Sequence, residues 1–459
     1  MEGFKKMDIA KIVDSVNSIL WDNILIFLLV GIGIFYTLYL GLPQFRKLGK
    51  AFKYTFGGVF TKKEEKEEAG EGEMSSFQAL ATAIAAQVGT GNLAGVASAI
   101  AAGGPGAIFW MWVSALFGMG TIFGEAVLAQ KYNEEIDGET TGGPAYYLAK
   151  GVNSKFLAGA FAVLIILALG FVGNMVQSNS ISDVMYTAFG INKLAIGIFL
   201  AVGAGAILIG GVKRIARFAE LVVPIMAAIY LIGSIVILAK DSSAIIPAFK
   251  SIFVGAFSAK AVGGGIIGVT IKQSIRYGVA RGLFSNEAGM GSTPHAHAVA
   301  KVDHPAQQGL VAMVGVVIDT FVVCTFTALV NIVTGSYLEG HEAAAMTQRA
   351  FELGLGRFGV VFIAIALLFF AFTTIISWTY FGEANVKYLF GKKAVNIYKV
   401  LVLGFVVWGS TLEVGLVWEL ADMFNGLMVI PNAIGLIILA PEVKKIFKDY
   451  NQNFSRLPS

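Results

Sequence analysis

Four residues interrupt a long apolar run: Gly89-Thr90-Gly91-Asn92 lies inside the segment 75–102. Two glycines in three positions weaken a helix locally. A helix that breaks at membrane depth frees backbone amides and carbonyls, which is tolerable where they line a cavity or bind a ligand. The N–H groups and positive helix end at Thr90, Gly91 and Asn92 therefore predict a carboxylate cradle. A glycine-rich packing seam would leave the polar residues unexplained.

A second glycine-rich stretch, with Gly263-Gly264-Gly265 and Gly268, follows the apolar first half of the segment 246–270. Carbonyl groups freed before a helix break can accept hydrogen bonds from an ammonium group. We expect this acceptor role for the carbonyls near Gln87 and Val88 in the first segment and from Ala261 to Gly263 in the second. The two breaks together predict a site for a zwitterion.

Two amides stand in the apolar segment 155–188, where Asn174 and Gln177 are spaced i to i+3 and share one helix face. They are candidate hydrogen-bond partners of the substrate. Amides also join helices in membranes, and this alternative stays open. Trp378 stands one turn after Thr374 and would wall the side-chain end of the pocket, unless it is a structural tryptophan.

Hydroxyl groups cluster in the sequence AFTTIISWTY, which holds Thr373, Thr374 and Ser377. A hard cation such as sodium takes oxygen ligands, and hydroxyls supply them without adding charge. The alternative is that each hydroxyl bonds the carbonyl one turn back in its own helix.

Asp319 is the acid placed deepest in an apolar run, VAMVGVVIDTFVVCTF. A charge there costs about 3 kcal/mol on insertion scales, so Asp319 must face a partner or a cavity. It is a candidate second cation ligand, a candidate proton carrier, or half of a structural ion pair.

The elements that position these residues follow from composition. Of 459 residues, 56% are hydrophobic and 14% are charged, against about 25% charge in a soluble domain. The hydrophobic residues occur in runs long enough to cross about 30 Å of hydrocarbon. These runs lack the alternation typical of barrel strands, so the spanning segments must be helices. We therefore predict an all-α polytopic membrane protein of about eleven spans: 20–42, 75–102, 106–130, 155–188, 192–210, 216–239, 246–270, 306–335, 356–386, 396–412 and 418–440.

Basic residues fall in alternate loops, which the positive-inside rule assigns to the cytoplasm. The N-terminus is then outside and the C-terminus inside. The assigned residues are Arg46, Lys47, Lys50, Lys53, Lys62, Lys63, Lys66, Lys213, Arg214, Arg217, Lys272, Arg276, Arg281, Lys387, Lys392, Lys393, Lys444, Lys445 and Lys448.

The two interrupted segments each begin a block of five spans, and an odd number of spans makes the blocks oppositely oriented. This predicts an inverted repeat with two discontinuous helices. The expected divisions are an extra helix with a charged linker (1–74), repeat one (75–240), repeat two (241–440) and a cytoplasmic tail (441–459).

Six motifs resemble those of the alanine or glycine:cation symporters, a family of the amino acid-polyamine-organocation superfamily with the leucine-transporter (LeuT) type fold. They are GTGNLAGVA (89–97), GGPGAIFWMW (103–112), EAVLAQKY (125–132), GGPAYYL (142–148), GNMVQSNS (173–180) and RGLFSNEAGMGS (281–292).

The resemblance implies sodium-coupled, or less often proton-coupled, import of alanine or glycine across the cell membrane by alternating access, with no other cofactor. It also implies a sodium site formed by the carbonyls of Ala85, Val88 and Phe370 and the hydroxyls of Thr373 and Thr374. In relatives of this fold, a carboxylate placed like Glu125 braces the second broken helix.

Other function classes find little support in the chain. A membrane enzyme would need a nucleophile with its base, and no GxSxG elbow occurs. A channel would repeat pore-lining segments around an axis. His295 and His297 are spaced i, i+2 and lack further ligands for a metal, and the one cysteine, Cys324, excludes an internal disulfide. The stretch SNEAGMGS is interpreted as a packed loop or inner gate. The rival hypothesis is a proton-coupled transporter that uses Asp319.

Overall fold

The computed structural model describes residues 2–60, 73–136, 138–258 and 270–454. Regular structure in these ranges is almost entirely helical, which confirms the predicted all-α class. The helices, in chain order, are α1 (Lys11–Tyr39), α2 (Leu48–Phe60), α3 (Ser76–Gln87), α4 (Gly91–Gly103), α5 (Gly106–Lys131), α6 (Pro144–Lys150), α7 (Lys155–Phe189), α8 (Lys193–Leu208), α9 (Gly211–Lys240), α10 (Ser242–Phe257), α11 (Ile271–Asn286), α12 (Pro294–Ala298), α13 (Pro305–Val333), α14 (Ala343–Leu355), α15 (Arg357–Phe390), α16 (Val395–Gly409) and α17 (Val417–Phe454).

Within the described ranges, seven helices are long and apolar enough to cross a membrane, or eight if α3 and α4, which meet at a 48° bend, form one broken span. Helices α8 and α10 are shorter and also apolar. The predicted total of eleven spans and the predicted repeat boundaries stay predictions. We call the end of the bundle that holds Lys131 the inner end, following the predicted orientation.

Helix α10 lies at the outer end of the bundle, so the seventh predicted span, 246–270, is wrong in its described part. The preceding helix α9 ends there at Lys240, and Gly255 of α10 packs its backbone against Gly106, where α5 begins. Trp110 Nε1 also donates to Ala256 O at 3.2 Å. The predicted acceptors Ala261 and Gly263, and the glycine run around them, lie outside the described residues.

The crossing segment is instead 271–298, which is α11, an interruption at 287–293 and α12. Helix α11 begins at the outer end, where Ser274 Oγ donates to Gly103 O at 2.6 Å. Helix α12 reaches the inner end, where His297 Nδ1 lies 2.7 Å from Gln308 Nε2. Positive φ angles at Glu287, Gly289 and Gly291 prevent a continuous helix.

Lys272, Arg276 and Arg281 therefore lie on the outer half of the bundle, which corrects their predicted cytoplasmic position. Their helix is polar, and two of its charges meet acids from distant helices. Arg276 pairs with Asp22 of α1 at 3.2 Å, and Arg281 forms two bonds to Asp422 of α17 at 2.6 and 2.8 Å. These partners are more than 100 residues away in sequence, so local charge counting could not reveal them.

A small parallel sheet joins the inner ends of both broken helices. Met74–Ser75 (β1), which leads into α3, pairs with Ala300–Lys301 (β4), which follows α12. Ser76 Oγ donates to Gln308 Oε1 at 2.7 Å, and Gln130 Nε2 donates to Ala300 O at 2.8 Å. A second pair, Glu134–Ile136 (β2) with Glu139–Thr141 (β3), forms an antiparallel hairpin between α5 and α6.

Three helices widen into π-helical turns beside polar residues of the interior. The turns cover Gly91–Gly95 in α4, Ile166–Gly173 in α7 and Val317–Cys324 in α13. They contain Asn92 and Asp319 and end directly before Asn174. Such turns often occur at functional sites because the extra residue re-aims side chains.

Candidate binding site between two helix interruptions

The first interruption, residues 88–90, keeps its amides occupied by side chains from nearby helices. Gly89 N–H donates to Asn92 Oδ1 at 2.9 Å, and Thr90 N–H donates to Gln177 Oε1 at 3.1 Å. Amide oxygens thus occupy the positions that the sequence assigned to a carboxylate. The proposed cradle of Thr90, Gly91 and Asn92 stays a prediction, although its geometry presents donors toward α7.

The second interruption lies directly against the first. Gln87 Nε2 donates to Asn286 O at 2.7 Å, and a Cβ on Gly91 would lie 3.0 Å from Ser285 Cα. The stretch SNEAGMGS, interpreted from sequence as a packed loop or gate, therefore forms part of the site. Its signal was a polar pair, Asn286-Glu287, followed by two glycines at i, i+2, which matches the glycine spacing of Gly89 and Gly91.

Several side-chain oxygens around this junction are buried without a hydrogen-bond partner among the described residues. They are Gln87 Oε1, Thr90 Oγ1, Asn174 Oδ1 and Ser377 Oγ. A buried polar atom of this kind costs about 1 to 3 kcal/mol unless a partner satisfies it. These four oxygens, on or near the two helix breaks, are candidate partners for a polar ligand.

Asn174 and Gln177 lie on the face of α7 that meets the site, as their spacing predicted. Asn174 Nδ2 donates to Gly170 O at 3.0 Å and to Thr379 Oγ1 of α15 at 3.1 Å. Asn174 thus joins two helices through its nitrogen while its oxygen stays unbonded, so both interpretations made from sequence keep support.

Thr374 bridges the end of α3 and helix α15. Its Oγ1 lies 2.9 Å from Ala85 O and 3.1 Å from Phe370 O, so its one hydrogen can be donated to either carbonyl. Thr373 Oγ1 lies 2.8 Å from the same Phe370 carbonyl. Ala85, Phe370 and Thr374, three members of the implied sodium ligand set, therefore lie together. Val88 stands three residues beyond Ala85, at the break itself.

Asp319 is buried and accepts hydrogen bonds from three side chains. The donors are Asn92 Nδ2 at 2.6 Å, Ser285 Oγ at 2.9 Å and Thr320 Oγ1 at 2.7 Å. All three donors are neutral, and they connect the helices of both interruptions through α13. One of the three roles that the sequence left open for Asp319 was half of a structural ion pair. Among the described residues, no basic side chain bonds to Asp319, so this role has no partner.

Trp378 is fully buried and held from several sides. Its Nε1 donates to Glu287 Oε1 at 2.6 Å, and its ring meets Phe284 edge-on at 5.8 Å between centroids. A Cβ on Gly173 would lie 2.6 Å from the indole, so only glycine fits there. The indole thus stands between α7 and the second interruption, and its role as a pocket wall stays a prediction.

Glu125 binds the second interruption from α5. It accepts hydrogen bonds from Gly289 N at 3.0 Å and from Asn432 Nδ2 at 2.6 Å, and Asn432 also donates to Gly289 O at 3.0 Å. These contacts agree with the bracing role implied by the family resemblance. Asn432, on α17, is a site-supporting residue that sequence reasoning missed.

The histidines of α12 have structural partners. His295 Nε2 lies 2.8 Å from Asn385 Nδ2, and Gly143 approaches the same ring so closely that a Cβ there would overlap it. Across the described part of the chain, no group of three or more His, Cys, Asp or Glu residues could hold a metal ion.

In the hairpin at the inner end, burial opposes ionisation of Glu139, but hydrogen bonds from Lys387 and Lys392 outweigh this effect and lower the pKa of the Glu139 carboxyl.

Comparison with known proteins gives a match to one family along nearly the whole chain. The model of the sodium:alanine symporter family matches residues 6–457. The sodium/alanine symporter AgcS of Methanococcus maripaludis is 44% identical, over 97% of this chain and 98% of that protein. The putative sodium/proton-dependent alanine carrier YrbD of Bacillus subtilis is 41% identical, over 96% and 93% of the two chains. Both of these relatives are named as transporters.

Among solved structures, MhsT in complex with L-phenylalanine superposes with a TM-score of 0.54 at 14% sequence identity. The match covers 83% of this chain and 89% of that one. At such low identity the likeness shows the fold alone, and it confirms the predicted LeuT-type fold of a multi-pass membrane protein.

Proposed function

This chain belongs to the sodium:alanine symporter family, and on that premise we propose that it imports a small neutral amino acid, alanine or glycine, together with sodium. It would do so in the cell membrane, with the N-terminus outside and the C-terminus inside, by alternating access. The observation that carries the proposal is the group of unpartnered buried oxygens at the junction of the two interruptions. A polar ligand there would satisfy groups that the fold leaves unsatisfied.

The substrate carboxylate would take the place of the amide oxygens that now accept from the first interruption. Gly89 N–H and Thr90 N–H bond to Asn92 and Gln177, and a carboxylate is the stronger acceptor for both. The ammonium would be received by the carbonyls where α3 and α11 end, since helix ends leave carbonyls without helical partners. Trp378 would limit the side chain to a small one.

Sodium would bind between α3 and α15, with Thr374 as its central ligand. The hydroxyl already lies within hydrogen-bond distance of the Ala85 and Phe370 carbonyls. Sodium would replace the hydroxyl hydrogen as the partner of these oxygens, and the Val88 carbonyl and Thr373 hydroxyl would complete the set. This arrangement joins the first interruption to the second repeat, so ion and substrate would stabilise one another.

Proton coupling through Asp319 is the second candidate. It is favoured by the relative named as a sodium/proton-dependent carrier and by the neutral surroundings of this buried carboxylate. In this version Asp319 takes up a proton, or a second cation, when the substrate binds.

The test of the function is uptake of radiolabelled alanine into proteoliposomes with sodium and pH gradients imposed separately. We expect an inward sodium gradient to drive accumulation, glycine to compete, and alanine methyl ester not to compete, because the cradle needs an anion. Equal uptake in sodium and choline would overturn sodium coupling. Accumulation driven by the pH gradient alone would favour the Asp319 mechanism.

Thr374→Val tests the ion site, because it preserves the side-chain shape and removes one oxygen ligand. Sodium affinity should fall about tenfold, equivalent to about 1.4 kcal/mol, while alanine affinity at saturating sodium falls less. Isothermal titration calorimetry measures both. Thr187→Val is the matched control, since Thr187 is exposed on α7 and bonds only within its own helix. Equal sodium affinities in the two variants would remove Thr374 from the site.

A further inference from the structure

Glu287 is a costly residue at its position. It terminates α11 with a φ of +58°, a conformation in which glycine or asparagine is usual. A side chain there is strained by about 1 kcal/mol. The carboxylate is also completely buried near the middle of the spanning segment 271–298, which adds several kcal/mol. Two penalties at one residue indicate that its side chain performs a task that glycine could not.

The contacts of Glu287 differ from those of the other two buried acids near the site. Glu125 accepts from the backbone amide of Gly289 and from the side chain of Asn432. Asp319 accepts from several side chains, among them Asn92 and Ser285. Glu287 has two described partners, Trp378 Nε1 at 2.6 Å and the hydroxyl of Ser292. One oxygen therefore bonds to α15, while the other bonds within its own interruption.

Helix geometry extends this connection to the proposed sodium site. Thr374 and Trp378 are spaced i, i+4 on α15, so both project from the same face. Thr374 contacts the carbonyl of Ala85 at the first interruption, and Trp378 contacts Glu287 at the second. One face of α15 thus touches both halves of the binding site through two side chains.

We propose that Glu287 is a positioning residue that couples sodium binding to substrate binding by holding the indole of Trp378. The inference rests on the proposed sodium symport. Sodium between α3 and α15 fixes one helix against the other. The Trp378–Glu287 bond then fixes the second interruption in the arrangement that receives the amino acid. Because linkage is reciprocal, the bond raises the affinity for each ligand in the presence of the other.

The test measures the coupling factor, which is the alanine dissociation constant in choline divided by that in saturating sodium. Trp378→Phe preserves an aromatic ring and removes the indole N–H, and Glu287→Ala removes the acceptor. We expect the coupling factor to fall about tenfold in each variant and no further in the double variant, while sodium affinity without alanine changes less than about twofold. Glu287→Gln should retain most of the coupling, since its amide oxygen accepts from the indole.

Trp418→Phe is the matched control. Trp418 also packs against Phe284, at 4.9 Å between ring centroids, but its buried N–H has no described partner. We expect it to retain the wild-type coupling factor. A wild-type factor in both Trp378→Phe and Glu287→Ala would overturn the inference, as would equal losses in Glu287→Gln and Glu287→Ala. Absence of any sodium effect in the wild type would instead overturn the proposed function, so the two failures are distinguishable.

Discussion

The first interruption spans three residues, 88–90, whereas the second spans seven, 287–293. Neutral amides from Asn92 and Gln177 occupy the N–H groups of the first. Two carboxylates hold the second: Glu125 binds its backbone from outside, and Glu287 lies within it. An amide oxygen is a weaker acceptor than a carboxylate. From this comparison we expect the first break to exchange its partners for a ligand more readily than the second.

The largest expected effect comes from removing the carboxylate brace of the second interruption. Glu125→Ala leaves Gly289 N–H and one N–H of the Asn432 amide without an acceptor in a buried place, while Asn432 keeps its bond to Gly289 O. Two such losses cost about 3 kcal/mol, so the thermal midpoint of the detergent-solubilised protein should drop by several degrees. Glu442→Ala is the control, because Glu442 makes a partly exposed ion pair with Lys131. Equal midpoints for both variants would contradict the difference between the two breaks.

A smaller effect, confined to binding, is expected at the first interruption. Gln177→Ala should raise the half-saturation constant for alanine uptake about tenfold, or about 1.4 kcal/mol, with little change in thermal midpoint. Gln177→Glu should abolish binding, because its carboxylate would occupy the substrate's place on Thr90 N–H. Gln44→Ala, which removes a buried amide that bonds Thr37 Oγ1 and the Leu116 carbonyl, controls for general damage. Normal uptake by Gln177→Ala would make this amide structural.

The smallest effect is expected at the inner ends of the two broken helices, which the parallel sheet joins. Met74 and Ala300 are partners in the parallel sheet, so the inner halves of both broken helices should move together. In a Cys324→Ser background, a disulfide between Met74→Cys and Ala300→Cys should leave alanine uptake within about twofold of the reduced protein, since opposed residues lie about 5 Å apart. Loss of uptake on oxidation, restored by reductant, would show that the inner halves separate during transport.

The first interruption could be predicted because its signal is local. Glycines and an asparagine inside an apolar run have few explanations in a membrane. Asn174 and Gln177 were proposed for the same reason, and their shared helix face follows from spacing alone. The LeuT-type fold followed from the family motifs.

The second interruption was misplaced because two local signals misled. The glycines at 263–268, which lie outside the described residues, drew the prediction toward 246–270, and the charges of α11 resemble those of a cytoplasmic loop. Only tertiary structure shows that Asp22 and Asp422 neutralise Arg276 and Arg281, so that a basic helix can lie within the bundle. The contact of Thr374 with Ala85 is likewise not predictable from local sequence patterns, because it joins residues 289 positions apart.

The charged helix α11 also affects how the chain enters the membrane during synthesis. Arginine at the centre of an isolated span costs about 2.5 to 3.5 kcal/mol at the insertion machinery, and α11 carries two, Arg276 and Arg281. Asp22 is made long before them, but Asp422 belongs to the last span and emerges about 140 residues later, as its 141-residue separation from Arg281 shows. Arg281 therefore lacks its partner until Asp422 has been made, and we expect stable integration of 271–298 only then. Ribosome-bound chains stopped after residue 412 should leave a cysteine placed at Arg276 open to a membrane-impermeant thiol reagent, whereas full-length chains protect it.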